Sequence, residues 1–154
     1  MDRFNKPLKQ ALKDVMSGVK ATLEAEIGEG KLLEGITEIV KGERVRVKPT
    51  PPFLMIFREQ AQALERTTIK VVWQIPITIV CVYQDEEPEI GQDKAEEYTA
   101  IARSILLKSR NLGYPDFIKD IKDLSFLSEG EEYQQGNIYT SAAQLTITFI
   151  SNEF

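Results

Sequence analysis

Histidine is absent from the 154 residues. With it go the Ser-His-Asp and Cys-His nucleophile pairs, His-ligated zinc and haem sites, and the usual acid–base group that titrates near neutrality. Cysteine occurs once, as Cys81, which excludes an intrachain disulfide and a thiolate zinc cluster and predicts a reducing compartment. Long apolar runs are also missing. The longest, Val71 to Val82, is interrupted by Gln74, Pro76 and Thr78 and falls short of the roughly 20 residues that a membrane helix needs. Met1 to Gln10 lack the apolar stretch of a secretory signal, so neither secretion nor membrane insertion is expected. Positive charge is in deficit: 19 basic against 24 acidic residues leave a net charge of −5, a balance unsuited to gripping a nucleic-acid backbone.

What is present is an ordinary globular composition, 42% hydrophobic and 28% charged with nine Gly and seven Pro, in a length that predicts one domain over residues 1–154. Leu8, Ala11, Leu12, Val15, Met16, Val19 and Leu23 recur at three- and four-residue steps and predict an amphipathic helix that stops at Gly28 to Gly30. Ile36 to Val40 fits a strand or a short helix, and Lys48-Pro-Thr-Pro-Pro52 forces an extended approach to a strand over Phe53 to Arg58. From Thr67 to Gln84 the odd positions Ile69 to Tyr83 are all apolar, whereas the even positions are mixed. This predicts one long strand with a core face and a second face suited to cover by another chain. Pro76 places that strand at an edge or a kink, and its length predicts a bend or a projecting hairpin. Asp85 to Glu89 reads as an acidic turn, with a second helix starting near Asp93 and Glu96 and stopping at Asn111 to Gly113. Phe117 to Leu127 fits helix or strand, and Tyr139 to Phe149 alternates as a closing strand. The expected fold is α+β, a two-layer sandwich of a mixed or antiparallel sheet on two helices, in the order α-β-β-β-α-β-β.

Few residues carry chemistry. Gly28-Glu-Gly30-Lys31 fails the phosphate-loop pattern at Ala25 and Leu32 and is a helix stop. Asp85, Glu86, Glu87 and Glu89 have no calcium-loop spacing and fit a solvated turn. Cys81 lies on the apolar face, where a thiol is inert, and Trp73 reads as core with an indole N–H in need of a partner. No catalytic, cofactor or metal residue is assigned. Arg44, Arg46 and Lys48 form a basic strip that serves equally as a solvated edge or as an interface. With Lys70, Val72 and Gln74 of the mixed face, they are the candidate interface residues.

The layout resembles the tail-terminator or tail-completion proteins of long-tailed bacteriophages and the related head–tail joining and minor tail proteins. The resemblance is carried by the opening helix, Leu33-Glu-Gly-Ile-Thr-Glu-Ile-Val-Lys-Gly42 and the proline-rich approach to Phe57. Further along it rests on Trp73-Gln-Ile-Pro-Ile-Thr-Ile-Val80, the acidic turn, the Ala100 to Leu107 helix and Ala143 to Phe149. It is a likeness of arrangement over nearly the whole chain and contains no diagnostic motif.

The resemblance implies a non-enzymatic subunit of a ring, a hexamer, that caps the tail tube, joins it to the head-completion or connector protein, and is assembled into the virion in the host cytoplasm. It also implies a strand for Phe117 to Leu127. In such a ring, lumen loops should repel DNA, and Asp85, Glu86, Glu87, Glu89, Glu129, Glu131 and Glu132 are the candidates. The alternatives are a small cytoplasmic oligomeric enzyme or ligand-binding domain with an acidic inter-subunit pocket, and another tail component such as a tube or baseplate subunit.

Overall fold

A computed structural model describes residues 6–42, 50–127 and 137–152. Eight elements follow in order: α1 Leu8–Glu24, β1 Ile39–Lys41, β2 Phe53–Arg58, β3 Gln62–Arg66, β4 Lys70–Gln84, α2 Pro88–Ser109, β5 Ile118–Leu127 and β6 Ile138–Asn152. The sheet runs β1-β2-β4-β6-β5, with β3 paired to β4 alone. It is mixed, since β1 is parallel to β2 and every other pairing is antiparallel. The class is the expected α+β, a mixed sheet with two helices, and the element order is the expected one apart from one additional strand.

The alternation in β4 and β6 explains where the helices lie. Ile75, Ile77 and Ile79 are fully buried and pair with Ile147, Leu145 and Ala143, so their side chains share one face. Both helices pack there: Ala11, Val15, Met16, Val19 and Leu23 of α1 and Ala95, Ala102 and Leu106 of α2 join the same buried cluster. Gly91 permits the close approach of α2, because a Cβ at that position would lie 2.2 Å from the Tyr139 ring. Thr99 Oγ1 lies 2.8 Å from Ala95 O and 3.2 Å from Ser141 O, which gives this buried hydroxyl a partner on the sheet. Lys6 secures the start of α1: its backbone carbonyl accepts from Asn152 N–H at 2.8 Å and its ammonium is 2.5 Å from Asp14.

Four expectations need correction. β1 is shorter than Ile36 to Val40, because the chain at Ile36 is held in a turn by a hydrogen bond to Leu33 O. α2 begins at Pro88, not near Asp93. Glu87 supplies the extended residue before the helix (φ −97°, ψ 119°), Pro88 is preset for the first helical position, and Glu89 meets the positive end of the helix dipole. β3 was not expected, since all five of its side chains are exposed and no apolar alternation marks it. Ile69, placed by its odd position on the core face, is 67% exposed in the turn of the β3–β4 hairpin. Thr67 closes that turn by accepting at Oγ1 from the Lys70 N–H at 3.0 Å.

The hairpin also accounts for the length of β4 and for Pro76. β2 pairs with Ile77 to Val82 and β3 with Val71 to Gln74, so Pro76 lies where one neighbour gives way to the next. Its carbonyl accepts from Glu59 N–H at 3.0 Å across that junction. The N–H and C=O of one strand residue point to the same side, so the missing donor faces the junction and costs no ladder bond. The strand is therefore central rather than an edge. Phe117 to Leu127 resolves to the strand β5, which forms one border of the sheet.

Candidate functional site

The sheet has a second face, built from the even positions of β4 and β6. Val72, Gln74, Pro76, Thr78 and Val80 are half-buried, as are Ala142, Gln144, Thr148 and Ile150 beside them and Met55 and Phe57 of β2. Both helices lie on the opposite face, so no helix among the described residues covers this one. Its centre is tied by side chains. Ser125 Oγ donates to Gln144 Oε1 at 3.0 Å, and Gln144 Nε2 donates to Thr78 Oγ1 at 3.2 Å and to Glu59 Oε1 at 3.4 Å. Such a face is apolar enough to gain from burial yet polar enough to remain soluble uncovered. Val72 and Gln74 belong to it, and Lys70 is exposed at its end. Arg44, Arg46 and Lys48 lie outside the described residues, as do Glu129, Glu131 and Glu132.

The acidic turn is compact. Asp85 N–H donates to Asn137 O at 3.0 Å, and the Asp85 carboxylate accepts from Glu87 N–H at 2.9 Å, so Asp85 is a turn-former. Glu86, Glu87 and Glu89 are exposed around it, followed by Ile90, which is 43% exposed. Among the described residues no group of three or more acidic or thiol side chains is arranged to hold a metal ion.

A groove that sequence reasoning missed opens between α1 and the ends of β1 and β2, with a volume of about 670 Å³. Leu8, Leu12, Met16 and Ile56 make its apolar wall and floor, and Lys9, Lys13, Lys41 and Arg58 stand around it. All four cations are exposed, and none is paired with a carboxylate among the described residues. The only trace in the sequence is the i, i+4 pair Lys9 and Lys13 interleaved with Leu8 and Leu12; the remaining members come from strands distant in the chain.

Cys81 is fully buried, and burial pushes its thiol up to about 12, so it is packing rather than a nucleophile. Trp73 is half-buried and donates its indole N–H to Ser151 Oγ at 2.8 Å, which meets the need foreseen for it. On the helix side, Arg103 and Asp123 form an ion pair between α2 and β5, and the guanidinium bonds hold the Asp123 carboxyl below its usual range. No helix is long and apolar enough to cross a membrane among the described residues. The chain matches no protein-family model and no curated protein sequence.

Proposed function

We propose that this chain is a non-enzymatic, self-associating structural subunit: a ring-forming tail-terminator or tail-completion protein that caps a bacteriophage tail tube and joins it to the head. The observation that carries the reading is the sheet face that no helix covers among the described residues, where Val72, Val80, Met55, Phe57, Ala142 and Ile150 are only half-buried. Two helices on one side of a sheet bury one apolar face only, and association with further copies buries the other. The β3–β4 hairpin adds support. It extends beyond β2 with Leu64 56% and Ile69 67% exposed, an arm that gains burial on reaching a neighbour. The resemblance to tail-completion proteins gives the assembly its place, at the end of a tail tube in the virion, and its ring form, a hexamer.

Electron microscopy of the purified protein, alone and mixed with tail tubes of its own virus, tests this. Rings, or a density closing one tube end, are the expected result. Tube ends left bare by a protein that forms no ring would remove the tail assignment, and a small molecule retained in a closed pocket between subunits would favour the ligand-binding alternative.

A further inference from the structure

We propose that the basic groove between α1 and β2 is the socket for the acidic start of α2 of a second copy, so that subunits join head to tail through these two unlike patches. This rests on the self-association reading and adds to it which surfaces meet.

The groove selects its ligand by chemistry. In a chain of net charge −5, it gathers four exposed cations, Lys9, Lys13, Lys41 and Arg58, around an apolar floor. A complementary ligand carries several negative charges beside one apolar side chain. Six large apolar side chains are exposed among the described residues: Leu32, Leu64, Ile69, Ile90, Leu124 and Phe126. Cations stand within two residues of four of them, since Lys31 precedes Leu32, Arg66 follows Leu64, Lys70 follows Ile69 and Lys122 precedes Leu124. Ile90 has the densest acids, Glu86, Glu87 and Glu89 before it and Asp93 after it, all within four residues, where none of the other five has more than two. The nearest cation in sequence, Lys94, is paired with Glu97 at 3.2 Å.

Position makes the contact intermolecular. Phe53 pairs with Val82 and Arg58 with Ile77, so the groove lies at the Arg58 end of β2 and the acidic turn beyond the Phe53 end. Five strand residues separate the two by about 17 Å along the sheet, at about 3.4 Å per residue, and the turn continues outward from there. A subunit cannot fill its own groove with its own α2. Contact between unlike patches is heterologous and propagates into a closed ring or an open filament. The acidic turn then belongs to the subunit contact rather than to a lumen.

The test uses two double reversals in the full chain: Lys13→Glu with Arg58→Glu in the groove, and Glu87→Lys with Glu89→Lys at the start of α2. All four side chains are exposed, and circular dichroism confirms the fold. Sedimentation velocity at low salt should show each variant alone weakened about tenfold or more in self-association, as expected when close charge pairs are inverted. An equimolar mixture of the two should recover association, because each groove then meets a tip of opposite charge. Wild-type association with unchanged variants, or variants weakened with no recovery on mixing, overturns the groove assignment and leaves the self-association reading standing. A wild type that is monomeric throughout, with tail-tube subunits added as well as alone, overturns both. Binding of dodecanoate that is abolished by the groove reversal, with association unaffected, would identify the groove as a site for a small anionic amphiphile and overturn the proposal.

Discussion

Replacing Ile77 by Ala perturbs the middle of the core. Ile77 is fully buried, pairs across β4 and β6 with Leu145 and faces α1 and α2 within the same cluster. The substitution removes three carbons at about 0.8 kcal/mol each, and incomplete relaxation around the cavity adds up to about 1.5 kcal/mol more. The expected loss is about 2.5 to 4 kcal/mol, inside the range for large-to-small changes in cores. For a chain of this size each kcal/mol moves the melting temperature by about 2 to 4 °C, so a fall of roughly 5 to 16 °C is expected. Val80→Ala is the control, because Val80 lies on the other face and is half-buried; it should cost about 1 kcal/mol or less in the monomer. Urea unfolding at a protein concentration low enough to suppress association reads both, since association itself raises apparent stability. An unchanged midpoint for Ile77→Ala beside a large loss for Val80→Ala would show that the sheet is inverted relative to the helices.

Two further outcomes follow from particular contacts. Gly91→Ala should destabilise by about 1 to 3 kcal/mol through overpacking against Tyr139, although Ala is the better helix former by about 1 kcal/mol; a gain in the urea midpoint would refute the close approach of α2 to β6. Cys81 should resist aromatic disulfide reagents until the chain is unfolded. Its folded pKa of about 12 lies above the ordinary 9.0, so its contribution to stability is intact below pH 9.0 and is lost as pH rises towards 12. Wild type should therefore lose more stability than Cys81→Ala over that window, and equal losses would show a thiol exposed to solvent.

The parts of the fold that could be read from the sequence are those where burial imposes a clean period. Ile75, Ile77 and Ile79 and their partners Leu145 and Ile147 alternate strictly, and the apolar stripe of α1 recurs at helical steps. β5 was ambiguous for a reason visible in its pairing. Register shifts between Ile118 and Asp120 and between Asp123 and Ser125 break the two-residue period, so Ile118 and Ile121 both pair with core residues at a spacing of three and imitate a helix. β3 left no apolar signal because it buries no side chain; it forms on the stretch of β4 that β2 leaves unpaired. The acidic turn was recognised, but the groove opposite in charge to it was not. Its cations arise at positions 9, 13, 41 and 58, and only the packing of α1 beside β1 and β2 brings them together.

Self-association is the central claim, and sedimentation velocity of the wild-type chain from low micromolar concentration upward measures it most directly. A monomer of 17.5 kDa should give way to a closed species near six times that mass, alone or on addition of tail-tube subunits, and the equilibrium should weaken as salt screens the charged contacts. A single 17.5 kDa species at every concentration, with and without tube subunits, would contradict the account.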